Sequence, residues 1–285
     1  MTAGAGRAAG ARLAPSALGQ LLVEPFRVLI VHRGTIEAFV RRDIQSRYVT
    51  SVMGASWALI QPLALLVLYT FVFSYVLRLR LGGSGTTGGF ALYLFCGMLP
   101  WLAFADGVTR SASVILDQAH LIRKVVFPSE ILPAYVVVSA LVTELVGLAV
   151  LLAAVAVFAG GFGWSLAALP VVIVLQFLFT MGVAWLLASL NVFLRDIGQG
   201  LGLAMTLWMF LTPIFYPAEM VPAPFRWVLG LNPLHHVVQA YRDVVLEQRL
   251  PAPAHLGALA LMALASYVLG YWVFRRSKHA FVDVL

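Results

Sequence analysis

Hydrophobic residues along the chain gather into six stretches near 20 residues long: about 57–77, 90–109, 131–159, 166–190, 198–216 and 255–274. Each can cross roughly 30 Å of hydrocarbon as a helix. The pattern predicts an all-α polytopic membrane protein with six transmembrane helices. Ahead of the first stretch, residues 32–50 read HRGTIEAFVRRDIQSRYVT. This piece is too charged to span, yet Ile36, Val40 and Ile44 recur every four residues, with Phe39 and Tyr48 beside them. An amphipathic helix in the membrane interface fits that pattern, with arginines toward the headgroups. Asp43 and Arg47 project close to the apolar stripe, where two readings compete: an ion pair docked on protein, or a solvated i,i+4 pair. After the fifth stretch, residues 217–254 contain six prolines. The apolar runs FRWVLGL and LHHVVQAYRDVVL between them are too short to cross. They are expected as extracytoplasmic re-entrant helices, whose backbone must be satisfied by protein or water.

Composition agrees with this picture. Of 285 residues, 61% are hydrophobic and 11% charged, with a mean hydropathy of +0.93. Soluble domains carry about 45–50% and about 25% respectively, so a soluble globule and a disordered chain are both excluded. The 19 Lys and Arg exceed the 12 Asp and Glu, for a net charge of +7. With the N-terminus inside, 14 of those bases fall in cytoplasmic segments and 5 outside. That asymmetry puts both termini in the cytoplasm, and it removes the support for nucleic acid as a partner. Residues 1–30, rich in small side chains, are expected as a mobile cytoplasmic tail preceding one membrane domain over 31–285. Cys96, the only cysteine, is expected in the core.

Candidate chemistry is sparse. Glu144 lies well within the third stretch, either as a carboxyl hydrogen-bonded between helices or as a proton-relay residue. The segment LIRKVVFP, Leu121–Ile122–Arg123–Lys124–Val125–Val126–Phe127–Pro128, sets two bases among apolar side chains on a short cytoplasmic piece. It reads either as a docking knob or as an interfacial loop. The pair His235–His236 has no further His or Cys at ligand spacing, so no metal is expected. No phosphate loop, nucleophile elbow or H-E-x-x-H motif occurs, and the chain is expected to have no catalytic residues. A membrane glycan-modifying enzyme would have to draw on Arg226, His235, His236, Arg242 and Asp243. A proton-coupled carrier would rest on Glu144. Aromatic rings in the first and fifth stretches include Tyr69, Phe73, Phe215 and Tyr216. They serve as interfacial belts and packing, or as flat apolar surfaces over which a sugar polymer slides.

Three motifs occur in order on this framework. RRDIQSRYVTSVMGASWALIQPLALLVLYTFVFS resembles the amphipathic helix and first span of type-2 ABC exporter permeases of the polysaccharide-export group. LIRKVVFPSEILP is similar to that group's coupling segment. NVFLRDIGQGLGLAMTLWMFLTPIFYPAEMVPAPFRWVLGLNPLHHVVQAYRDVVL resembles its fifth span and external re-entrant helices. The resemblance covers roughly residues 30–285. It implies a homodimer in the bacterial inner membrane, paired with two copies of a separate ABC ATPase that holds the ATP and Mg²⁺. No cofactor is expected in this chain. The cargo implied is O-antigen, capsule or teichoic acid on a lipid carrier, with a drug or lipid exporter of the same architecture as the alternative. The resemblance assigns Asp43, Arg47 and Tyr48 to a gate helix and Leu121–Pro128 to the ATPase contact. Tyr69, Phe73, Phe215 and Tyr216 would line the channel.

Overall fold

A computed structural model describes residues 15–48, 56–76, 89–124, 127–158 and 160–284. Among these, all regular structure is helical. Two helices, α1 (Pro15–Val31) and α2 (Arg33–Tyr48), precede the apolar segments. Next come α3 (Trp57–Tyr69), which passes into a π-helical segment over Thr70–Val76, and α4 (Gly89–Asp117). A short α5 (Ala119–Lys124) leads to α6 (Ile131–Phe158), α7 (Leu169–Phe193) and α8 (Asp196–Leu211). The chain ends with α9 (Arg226–Gly230), α10 (Pro233–Val245), α11 (Pro253–Ser277) and α12 (Phe281–Val284).

Among the described residues, four helical segments are long and apolar enough to cross a bilayer: Gly89–Asp117, Ile131–Phe158, Trp164–Phe193 and Pro253–Ala280. The first and fifth predicted spans are shorter as α-helices. The π-helical segment, a rare form that recurs at functional sites, takes over from α3 at Thr70, whose hydroxyl donates to Leu66 O at 2.7 Å. Helix α8 stops at Leu211 because Thr212, which precedes Pro213, is extended (φ −92°, ψ 130°). A residue before proline is pushed out of the helical region by the ring. The fifth apolar run therefore ends in a turn short of its expected limit at 216.

Residues 15–30, expected as part of the tail, instead belong to α1 (Pro15–Val31). This helix packs on α11: Leu21 is buried, Phe26 stacks on Tyr267 at 5.2 Å, and Arg275 Nη1 lies 2.6 Å from Glu24 Oε2. Leucines and a phenylalanine spread among small residues were enough to cover an apolar groove of α11.

The densest crossing in the bundle joins α7 and α11, next to the α4–α6 and α4–α7 contacts. It depends on Gly182 and Gly270: a Cβ on Gly270 would fall on Gly182 O, and one on Gly182 on Ser266 O. Helix pairs in lipid gain chiefly from packing, so small residues that let backbones meet set the crossing. Nearby Trp185 is fully buried. Its Nε1 donates to Glu130 O at 3.2 Å, and its ring meets Tyr267 and Tyr271 edge-on at 5.3 and 5.2 Å.

Candidate functional site

Helix α2 turns Asp43 and Arg47 onto protein. Arg110 Nη2 donates to Asp43 Oδ1, and Ser139 Oγ donates to Asp43 Oδ2 at 2.5 Å. Arg47 Nη2 donates to Asp106 Oδ2 at 2.9 Å, and Arg110 Nη1 reaches the same oxygen at 3.3 Å. Arg47 Nε lies 3.4 Å from Asp43. Two i,i+4 Asp–Arg pairs, one on α2 and one on α4, thus face each other crosswise as a closed ring of alternating charge, with Ser139 of α6 as a further donor. Sequence reasoning placed the α2 pair and missed its partners, since Asp106 and Arg110 sit at the end of an apolar run. The repeated Asp-x-x-x-Arg spacing was the available signal.

This ring closes one end of a cavity of about 550 Å³ between α3, α4 and α6. Arg47 and Asp106 line that end, and Trp57, Pro62, Leu65, Leu68, Phe95, Leu99 and Leu102 make the lining chiefly apolar. Glu144 stands in its wall and ties three helices together. Gln176 Nε2 of α7 donates to Glu144 Oε2 at 2.8 Å, and Tyr241 OH of α10 lies 2.7 Å from Glu144 Oε1 and 3.0 Å from Gln176 Oε1. The phenol has one proton, so it donates to one of these two oxygens at a time. Of the two readings of Glu144, the geometry is that of an interhelical hydrogen bond.

Next to Tyr241, the fully buried Arg242 clamps the broken end of α8. Its Nη1 and Nη2 donate to Pro213 O and Ile214 O at 2.7 and 2.8 Å, and its guanidinium stands 3.5 Å above the Tyr93 ring. Gly97 makes room for it, since a Cβ there would lie 2.8 Å from Arg242 Nη2. Asn232 laces the same junction. It accepts from Trp208 Nε1 at 3.0 Å, donates to Thr212 Oγ1 at 2.9 Å, and caps α10 by accepting from Leu234 N at 3.1 Å. The remaining enzyme candidates are local braces: Asp243 accepts from Arg249 and Gln239, and Arg226 donates to Val221 O and Glu219 O.

Tyr69 and Phe215, from the first and fifth apolar runs, pack against one hydrophobic core cluster that includes Trp101 and Phe104. Tyr216 OH donates to Phe210 O at 2.8 Å, and Tyr216 O accepts from Tyr93 OH at 3.4 Å. The side chains of Phe73 and Tyr48 lie outside the described residues.

The segment after α4 leans on α2. Leu121, Ile122 and Phe127 pack against the core cluster that contains Ile36 and Val40. The Phe127 ring is 6.0 Å from Phe39, which is 5.1 Å from Tyr135. Pro128 O accepts from Ile131 N at 3.1 Å and opens α6. The side chains of Arg123 and Lys124, and Val125 and Val126 altogether, lie outside the described residues.

The structure also brings His255, at the start of α11, beside His235 and His236. His236 Nδ1 and His255 Nδ1 are 2.8 Å apart, and His236 Nε2 donates to Gly230 O at 3.0 Å. A spacing rule within one segment could not find this residue, which lies beyond the next two prolines.

A family model described as ABC-2 type transporter matches residues 35–246. The chain is 29% identical over 264 residues to the O-antigen export system permease protein RfbA of Myxococcus xanthus, covering 92% of this chain and 99% of that protein. Identity to the protein of the same name from Klebsiella pneumoniae is 28% over 246 residues, 86% of this chain and 92% of the relative. The polysialic acid transport protein KpsM of Escherichia coli is 23% identical over 253 residues, 88% and 96% of the two chains.

Proposed function

The chain belongs to the ABC-2 type transporter family, and from that premise we propose that it is the channel-forming membrane subunit of an ATP-driven exporter. Its cargo is a polysaccharide, or a glycan on a lipid carrier, moving out of the cytoplasm. The relatives named for O-antigen export and polysialic acid transport, matched over most of their length, support that cargo. The chain is not itself an enzyme; ATP and Mg²⁺ belong to a separate ABC ATPase.

The observation that carries this reading is the path along α2. Phe127 touches Phe39, and one and two helical turns later Asp43 and Arg47 enter the charge ring at the end of the apolar cavity. An ATPase bound at Leu121–Pro128 would push on Phe39, and α2 would carry that motion into Asp43 and Arg47. The lining offers few fixed charges, which suits a sparsely charged polymer held by many weak contacts.

On this reading α3 with its π-helical segment, and α8 with the turn after it, complete six spans, and residues 226–245 re-enter from outside. Both termini lie in the cytoplasm of a bacterial inner membrane, as the distribution of basic residues supports. The assembly is a homodimer with two ATPase copies. The exposed apolar stripes Leu59–Leu63–Val67–Phe71 and Leu203–Leu207–Phe210 support a second copy or lipid against α3 and α8.

The test uses the chain coexpressed with the ABC ATPase encoded beside it. Val125→Asp with Val126→Asp should abolish copurification of the ATPase and surface glycan, while the chain still accumulates in membranes. Unchanged assembly and export would remove the coupling assignment. Deletion that spares surface glycan but halts efflux of a drug or lipid would assign the cargo to the alternative class.

A further inference from the structure

We propose that His235, His236 and His255 form a binding site for a divalent transition-metal cation of the Zn²⁺ class, tying the start of α10 to the start of α11. Each histidine offers one ring nitrogen, and the three lie within 4.8 Å of one another. Two imidazole nitrogens on a tetrahedral Zn²⁺, each at 2.0–2.1 Å, stand about 3.3 Å apart. The trio is therefore closer to a ligand set than to three independent side chains.

Hydrogen bonding points the same way. Because His236 Nε2 donates to Gly230 O, the Nδ1 of the neutral ring carries a lone pair. This is the arrangement in which a carbonyl fixes the tautomer of a metal-bound histidine. At present that lone pair meets His255 Nδ1 at 2.8 Å, so His255 Nδ1 carries the proton between them. On metal binding that proton moves through solvent to His255 Nε2, and both Nδ1 atoms face the cation; no net proton is released. His235 supplies the strongest sign, since its Nδ1 is buried and has no hydrogen-bond partner among the described residues. A buried ring nitrogen left unpaired is costly, and a cation would satisfy it.

Arg242 is the nearby positive charge that opposes a cation. It is two helical turns from His235, and its guanidinium is directed to Pro213 O, Ile214 O and the Tyr93 ring. His255 is half-buried while the other two are buried, which leaves the entry and the fourth coordination position on the His255 side. On the topology proposed above that side faces outward, so the metal would come from outside the cytoplasm. The site would hold α10, which carries Tyr241 and Arg242, against the last span.

The test uses the full-length chain with its ATPase, purified with a tag free of histidine and stripped with EDTA. Added Co²⁺ should give the d–d absorption of a low-symmetry site at one equivalent per chain, and Zn²⁺ should bleach it. Zn²⁺, but not Mg²⁺, should raise the melting temperature. His235→Gln, His236→Gln and His255→Gln should each abolish the absorption and the Zn²⁺-dependent rise. His255→Gln, at a half-buried position, should melt like the parent in EDTA, which separates loss of metal from loss of fold. Absence of a one-equivalent Co²⁺ signal in the parent chain would overturn the proposal, as would the same signal in His255→Gln.

Discussion

Replacing Asp43 with Asn tests whether the charge ring is a built joint or a surface ornament. The substitution keeps shape and removes one negative charge. Arg47 and Arg110 are then left to share Asp106, whose side chain is 35% exposed. Asp43 itself is 13% exposed, against 26% for Arg47 and 31% for Arg110. Exposed ion pairs contribute about 0–1 kcal/mol, and removing one partner of a fully buried pair costs about 3–5 kcal/mol. Intermediate exposure, two cationic partners and the Ser139 hydroxyl place the loss at about 2 kcal/mol. The same helix offers an internal control: Arg41 and Glu37 stand 3.4 Å apart but are 70% and 73% exposed. Glu37→Gln should therefore change stability by less than about 0.5 kcal/mol. Both variants are compared by reversible unfolding in mixed micelles of increasing SDS content, alongside surface glycan and ATPase activity. Asp43→Asn should lower the midpoint, cut export and leave ATP hydrolysis running, because the joint lies beyond the proposed ATPase contact at Leu121–Pro128. If the two variants unfold alike, or if Asp43→Asn exports at the parental rate, the ring neither holds nor transmits anything.

Three further outcomes follow from the packing. Gly270→Val should prevent stable accumulation of the chain, since the added carbons fall on Gly182 O; Gly257→Ala on the same helix, with open space around it, should accumulate normally, and equal levels by membrane immunoblot would refute the crossing. Glu144→Gln should preserve export because an amide oxygen still accepts from Gln176 or Tyr241, whereas Glu144→Leu should lower stability by about 1–3 kcal/mol by stranding buried polar groups; complete loss of export in Glu144→Gln would instead identify a proton relay. Tyr69→Ala combined with Tyr216→Ala should slow appearance of surface glycan while ATPase assembly persists, and an unaltered export rate would reduce these rings to packing.

The sequence was legible where a single periodicity decided the outcome. Long apolar runs gave helices, and the i,i+4 placement of Asp43 and Arg47 inside an apolar stripe already hinted at protein contact. What stayed hidden were relations between segments. Asp106 and Arg110 matter because α2 lies across α4, and His255 because α11 begins beside α10; the repeated Asp-x-x-x-Arg spacing marks the first pair but not that the two helices meet there. Some local signals were also underweighted. Pro213 ends α8 through the extended Thr212, although a count of apolar residues carried the span to 216. Residues 15–30 looked too small and too weakly apolar for order, yet a groove on α11 supplies the surface that makes their helix worthwhile, and no property of the segment itself announces that groove.

The buried polar groups divide the bundle into a part that resists motion and a part that allows it. Glu144, Gln176 and Tyr241 join α6, α7 and α10, while Arg242 joins α10 to the end of α8, and the glycine crossing locks α7 to α11. Separating such ties within the membrane costs about 1–2 kcal/mol per bond, because no water replaces the lost partner. Helix α3 meets the cavity through Trp57, Gln61, Pro62, Ala64, Leu65 and Leu68, five of them apolar or aromatic. Apolar contacts of this kind exchange with lipid tails or cargo at little cost, since the tails are as apolar as leucine. A cavity that widens for a polymer should therefore do so by displacement of α3 from α4 and α6. Spin labels at Leu63 and Leu145, exposed on α3 and α6, should change separation by pulsed EPR when ATP turnover is trapped. Labels at Val174 and Leu269, exposed on α7 and α11, should hold theirs. Equal displacement of both pairs would mean that the tied block deforms, and the division drawn from its polar contacts would fail.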